Sequence, residues 1–178
     1  MRKPDSLAGN VALAALLTAV SLIVLYGACL APSGKLGVTA AAGLPPTAGV
    51  ISGGLKVGLL CYGGTAVLAL LLLPDKGIAL LFGLFFGLYP LLKAVIERLR
   101  RLAVELILKL AVFNIAFALF WMAFRSVFFS VLALPEVSLW LICLAGNIVF
   151  LAYDFGMSKL IAFYIARVDR PMRKGRGS

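Results

Sequence analysis

Few side chains in this sequence could do chemistry, and one helical face gathers four of them. Cys143, Asn147, Asp154 and Ser158 follow one another at spacings of four, seven and four residues, which return to the same side of an α-helix. A carboxylate in such a row can relay a proton or hold a cation. With Lys93 and Lys159 as candidate partners, a salt bridge is the simpler assignment for Asp154. Asn114 and Asn147 fall at comparable depth in two apolar stretches, where a hydrogen bond between helices, worth about 0.5–2 kcal/mol, is the expected role. Contact with a substrate is the alternative. Arg125, in "WMAFRSVFFS", has Trp121 one helical turn before it and no acid nearby. Its plainer reading is a side chain snorkelling outward. The functional one groups Arg125 with Lys35, and with Tyr26, Trp121, Trp140 and Asn147, around an outward cavity for a small molecule, anionic ones being favoured by the two cations.

Several chemistries are excluded by what surrounds these residues. Histidine is absent, which removes the commonest general base and metal ligand. Cys29, Cys61 and Cys143 lie singly inside apolar runs, so neither a disulfide framework nor a zinc site is expected. "GACLAPSGKL" lacks the glycine spacing of a phosphate loop and has Leu36 where Ser or Thr would bind magnesium. No nucleophile pairs with a base at one depth. The expectation is therefore a protein that is not an enzyme, with no catalytic residues, no metal and no cofactor. A net charge of +10 could indicate nucleic acid, but no basic face interleaved with aromatics exists outside the apolar segments, so none is expected as a partner.

The elements that would position these side chains follow from composition. Hydrophobic residues make up 63% of the 178 and charged ones 13%, and the mean hydropathy is +1.09. A soluble domain is typically about half apolar, so the excess apolar surface must face lipid. Crossing about 30 Å of hydrocarbon takes about 20 apolar residues at roughly 1.5 Å each. Spans are expected over 10–31, 54–73, 77–97, 101–132 and 137–168. The segment 35–52, "KLGVTAAAGLPPTAGVIS", is short, weakly apolar and broken by Pro45 and Pro46. The apolar run of the first span is too long for an export signal, and Tyr26 is too bulky for a cleavage site before Cys29, so an uncleaved first span is expected.

Charge decides the proline-broken segment. With Arg2 and Lys3 cytoplasmic, a crossing over 35–52 puts both basic blocks, "RLRR" (Arg98 to Arg101) and "RVDRPMRKGR" (Arg167 to Arg176), on the cytoplasmic side, as the positive-inside rule requires. Without it, both blocks fall outside. The expected fold is an all-α integral membrane protein of six transmembrane helices with a short, proline-broken second span, a single domain over 1–178. Both termini would be cytoplasmic and the basic tail 169–178 would lie against anionic lipid headgroups. Lys56, just inside the third span, would anchor at the inner interface by snorkelling. Span two needs cover from its neighbours, because proline leaves carbonyls unbonded in hydrocarbon. Small pairs at four-residue spacing, Ala15 and Ala19, Gly54 and Gly58, Gly83 and Gly87, let helix backbones touch.

"ALAALLTAVSL" (Ala12 to Leu22), the irregular second span after "APSGKLGVTAAAG" and the glycine-rich start of span three carry a resemblance. The chain resembles the substrate-binding membrane subunit, or S-component, of energy-coupling factor transporters. Ala15 and Ala19 match the Ala-x-x-x-Ala surface that such subunits present to a transmembrane coupling protein. The resemblance implies a small-molecule uptake protein of the bacterial plasma membrane that binds a vitamin or other micronutrient from outside and draws on a partner ATPase pair. The turn around Ser33 to Leu36 would close the pocket. Two other classes stay open: a homo-oligomeric channel assembled through Gly83 and Gly87, and an accessory subunit of a larger membrane complex.

Overall fold

The computed structural model describes residues 7–99, 101–128 and 139–169, all but their short links helical. Helix α1 (Leu7–Leu30) is followed by two short helices, α2 (Lys35–Ala41) and α3 (Leu44–Gly53), and then by α4 (Leu55–Leu72). Next come α5 (Lys76–Leu81), a π-helical turn (Phe82–Phe86), α6 (Tyr89–Ile96) and a 3-10 turn (Glu97–Leu99). Two long helices follow, α7 (Leu102–Phe128) and α8 (Leu139–Tyr164), with a π turn (Ile165–Asp169) after α8. Five stretches are long and apolar enough to cross a membrane: Leu7–Leu30, Leu55–Leu72, Lys76–Ile96, Ala103–Phe120 and Cys143–Arg167. Large apolar side chains such as Leu16, Ile23, Leu71, Ile107, Ile148 and Phe155 stand exposed on their outer faces, which is compatible with a membrane protein.

The break in the second apolar segment has a local cause. Pro46 has no N–H for the carbonyl of Ala42 one turn earlier. Ser21 of α1, fully buried, donates its hydroxyl to that carbonyl at 3.0 Å. One side chain thus satisfies the acceptor that proline orphaned. Two threonines back-bond to carbonyls four residues earlier: Thr39 donates to Lys35 at 2.7 Å and Thr47 to Gly43 at 2.8 Å. The pieces α2 and α3 then pack on α1, and α3 also packs on α4.

Two contacts give the height of this broken segment. Lys35, at the start of α2, pairs with Asp75 at 3.6 Å, just beyond the end of α4. Gly53, at the end of α3, is one residue from the start of α4, and Gly54 makes the link with φ of 88°. Residues 35–53 therefore run alongside α4 from its last turn to its first. The stretch is rich in Ala, Gly, Thr and Pro, small residues that let α2 pack on α1, α5 and the π turn, and α3 on α1 and α4.

Expected as one continuous helix, 77–97 is interrupted. Pro90 orphans the carbonyl of Phe86 in the same way that Pro46 orphans Ala42. The backbone widens into π form over Phe82–Phe86 before α6 resumes. Gly43, at the α2–α3 junction, lies so close to the Phe86 carbonyl that a Cβ there would collide with it. A glycine is needed at that point for closeness alone. At the Asp75 end, the Asp75 side chain caps α5 by accepting from the amides of Gly77 and Ile78 at 3.0 and 3.3 Å. Lys76 donates to the last carbonyls of α4, at Leu70 and Leu73.

Candidate functional site

The polar residues of the interior gather where α6, α7 and α8 meet. Tyr89, Lys93 and Glu97 recur every four residues, which puts them on one face, and Asp154 and Ser158 do the same on α8. Asp154 accepts from the Tyr89 hydroxyl at 2.5 Å and from Lys93 on one oxygen, and from Lys109 at 3.1 Å on the other. Lys93, 1% exposed, also reaches Ser158 and Glu97, each at 2.8 Å. All three ammonium donors are thereby committed. Lys109 pairs with Glu97 at 2.9 Å as well. Two cations and two carboxylates thus offset one another in a cluster that ties three helices together.

Charges are removed from solvent at a cost of several kcal/mol each unless geometry and extra hydrogen bonds compensate. Tyr89 and Ser158 supply those extra bonds. The expected salt bridge of Asp154 is found with Lys93. Lys159 instead lies 5.3 Å from the Phe155 ring centroid, a cation–π arrangement at the surface.

Directly against this cluster, toward the Asp75 end, lies an aromatic cavity of about 200 Å³. Its walls come from α5 and the π turn (Leu81, Phe85), from α7 (Phe113, Phe117) and from α8 (Phe150, Tyr153). Phe113 and Phe150 stack nearly parallel, centroids 4.8 Å apart at 13°. Phe85 stacks on Tyr89 at 5.4 Å and meets Phe113 edge-on at 5.5 Å, and Tyr89 meets Phe150 edge-on at 5.2 Å. Each such pair contributes about 0.5–1.5 kcal/mol beyond its buried area. Tyr89 is thus both a wall of the aromatic cluster and a donor to the charged one. The π turn matters here because it turns Phe85 and Phe86 toward α8, where Phe86 meets Tyr153 at 5.3 Å.

Tyr153 is the odd group in this apolar chamber. Its hydroxyl is buried and has no hydrogen-bond partner among the described residues. Leaving a buried hydroxyl unbonded costs about 1–3 kcal/mol.

Of the residues expected around an outward cavity, four have described side chains. Tyr26 and Trp140 are exposed, and Lys35 is held by Asp75. Asn147 is drawn into a reciprocal pair with Asn114, at 3.0 and 3.3 Å. Each amide also bonds the carbonyl four residues before it, Leu110 and Cys143, at 2.8 Å. The side chains of Trp121 and Arg125 lie outside the described residues, as do Arg2 and Lys3 and the tail from Arg170 to Ser178. Sequence reading missed the aromatic set. The signal was present as the four-residue ladders Phe85, Tyr89, Lys93, Glu97 and Gly146, Phe150, Asp154, Ser158.

The Asn pair yields a direct check. In a double-mutant cycle with Asn114→Leu and Asn147→Leu, we expect a coupling energy of about 0.5–2 kcal/mol, read from unfolding in detergent micelles. A coupling near zero would show that the amides act separately.

On the far side of the bundle, Ala15 and Ala19 are exposed and line a shallow apolar groove between α1 and α4, with Thr18, Leu60, Gly64 and Leu68. Gly58 and Gly87 are used up inside the chain. A Cβ at Gly58 would strike Val50 and Leu91, and one at Gly87 would strike Phe82 and Tyr62. Lys56 is exposed at the start of α4. Among the described residues, no three or more Cys, Asp or Glu side chains gather as a metal site would need.

Fold and site together define an all-helical protein with several helices able to cross a membrane and a buried ion-pair cluster beneath an aromatic chamber. Comparison with protein-family models, curated proteins and solved structures finds no match.

Proposed function

We propose that this chain is the small-molecule-binding subunit of an uptake transporter, similar to the S-components of energy-coupling factor systems. It would cross the bacterial plasma membrane six times with both termini in the cytoplasm. The observation that carries the binding reading is the aromatic cavity of about 200 Å³, a half-open pocket lined by apolar side chains of α5, the π turn, α7 and α8. A chamber of this kind holds an apolar or aromatic body and leaves orientation to a few polar groups.

The even number of crossings is supported by the pairing of Lys35 with Asp75 and by the run of residues 35–53 along the whole of α4. With that segment counted as a span, the Lys35 and Asp75 turns face outward. Glu97, Arg101 and the chain beyond Tyr164 face the cytoplasm, where positive charge belongs. The cavity then opens toward the outer half of the bilayer, with the ion-pair cluster between it and the cytoplasm.

Ligand capture would be the work of this chain and energy would come from its partners: a transmembrane coupling protein and an ATPase pair. The exposed Ala15 and Ala19 face is the proposed contact with the coupling protein, since small side chains let helices approach and slide. The test is Ala15→Trp. We expect co-purification with an ATPase pair and a coupling membrane protein to be lost, while ligand binding and thermal stability stay within error of the parent. Unchanged association, or loss of ligand binding instead, would overturn the assignment of this face. Absence of such partners from the parent's membranes would overturn the transporter reading itself.

A further inference from the structure

A second apolar recess runs down α8, between it and the broken pair α2 and α3, and a cation stands at its end. We propose that the recess holds one acyl chain of an anionic phospholipid, whose phosphate sits on Arg167.

The part nearer the Asp75 end lies between α2 and α8, where Gly37, Ala41, Gly156 and Leu160 border a space of about 190 Å³. The part nearer Gly53 lies between α3 and α8, where Ala48, Leu160 and Phe163 border about 260 Å³. Leu44 and Leu160 line both. A Cβ at Gly37 or Gly156 would meet no atom within 4 Å, so the helices leave a gap there that their small residues do not fill. Both parts are half-open, and Leu160 and Phe163 on the rim are exposed. In a chain whose helices are long and apolar enough to cross a membrane, such a rim faces lipid.

Length and width select the occupant. From Tyr153 to Tyr164, the first and last residues of α8 that line it, the recess runs about 16 Å at roughly 1.5 Å per residue. That is about half of a 30 Å hydrocarbon layer, the depth of one lipid leaflet. Width excludes a helix. The Ser52 and Tyr164 hydroxyls tie α3 to α8 at 3.2 Å, whereas a helix with its side chains is about 10–12 Å across, so another helix could lie only over the recess and not in it. The Thr47 hydroxyl on its wall is spent on the Gly43 carbonyl, and a hydrocarbon chain asks nothing of it.

Charge selects the headgroup. The Arg167 guanidinium lies over the Phe163 ring, 5.9 Å from the centroid, and Arg167 is exposed. Among the described residues, no carboxylate pairs with it. Stacking on one face leaves the N–H edges of a guanidinium free for phosphate oxygens. On the six-crossing reading this end meets the cytoplasmic leaflet, the one that carries anionic lipid.

The test uses the full chain in phosphatidylcholine nanodiscs doped with phosphatidylglycerol or phosphatidylcholine that bears a photoreactive diazirine in one acyl chain, the labelled residues being located by peptide mass spectrometry. We expect phosphatidylglycerol to label saturably at one per chain, within 37–51 and 153–164. It should do so about 5-fold more strongly than phosphatidylcholine, the factor that one basic residue near an anionic headgroup supplies. Arg167→Gln should remove that preference and leave phosphatidylcholine labelling unchanged, and raised salt should reduce the preference in the parent. Ala48→Leu, which fills the part between α3 and α8, should abolish labelling of these residues by both lipids. Should that variant not fold, Gly156→Leu serves, since the space beside Gly156 is open, and the same loss is expected.

Labelling spread evenly over the outer faces, equal labelling by the two lipids, a preference that survives Arg167→Gln, or labelling that survives the filled recess would each overturn the proposal. So would a native mass of two chains that falls to one on Ala48→Leu, which would make a second copy the occupant.

Discussion

Replacing Asp154 by alanine is expected to destabilise the protein by about 3–5 kcal/mol, the usual result of removing one partner from a buried ion pair. Asp154 is the hub of the cluster, bonded to Tyr89, Lys93 and Lys109. Its loss leaves Lys93, 1% exposed, with only Glu97 and Ser158. The neutralising charge on Glu97 would then be shared between two lysines. The variant should unfold at lower denaturant than the parent, and α8 should part from α6 first. A compensated variant separates charge from packing. Asp154→Leu combined with Lys93→Met and Tyr89→Phe removes one cation and one anion and leaves Lys109 on Glu97. It should recover most of the stability, because a buried ion pair replaced by apolar groups of similar volume is often neutral or better. Equal instability of the single and triple variants would mean that shape, not charge balance, is what Asp154 supplies.

The second large effect is expected at Gly43. Gly43→Ala sets a methyl group into the carbonyl of Phe86, and neither backbone can yield easily. The carbonyl belongs to the π turn, and Gly43 sits where α2 gives way to α3. We expect a loss of about 1–3 kcal/mol, the range for overpacking a filled interior. Because the π turn also carries Phe85 and Phe86 into the aromatic chamber, ligand affinity should fall with stability. Alanine at the exposed, unobstructed Gly27 is the control and should leave both unchanged. If Gly43→Ala leaves unfolding and ligand binding as in the parent, the π turn does not depend on this close approach.

These two sites also show how much was legible in the residues alone. Segment 35–52 was readable as a broken helical segment because Pro45 and Pro46 remove donors wherever they stand in a helix. Its true bounds, Lys35–Ala41 and Leu44–Gly53, differ from that expectation by one residue at the end. An ion pair for Asp154, with Lys93 or Lys159, and interhelical hydrogen bonds for Asn114 and Asn147 were readable because a polar group in an apolar helix needs a partner; that the two amides meet each other was not. The π turn was not foreseen: Pro90 announces an orphaned carbonyl, but whether the helix kinks or widens depends on what packs there, here Gly43. The aromatic chamber was missed for a related reason. Phe85, Phe113 and Phe150 look like any other lipid-phase aromatics until tertiary packing separates those that meet inside from Phe155 and Phe163, which face out. The candidate set of Tyr26, Lys35, Trp121, Arg125, Trp140 and Asn147 was chosen by residue type at an expected depth, which does not tell which neighbours each side chain meets. Lys35 and Asn147 were taken up by Asp75 and Asn114, partners whose identity depends on the three-dimensional neighbour.

The central claim is that the aromatic chamber captures a small molecule for uptake. Native mass spectrometry of the chain released from gently extracted membranes tests it most directly, run beside the cavity-filling variant Ala116→Leu. The account predicts one small molecule retained per parent chain and none on the variant. An empty parent chain, or the same molecule held equally by both, would contradict it.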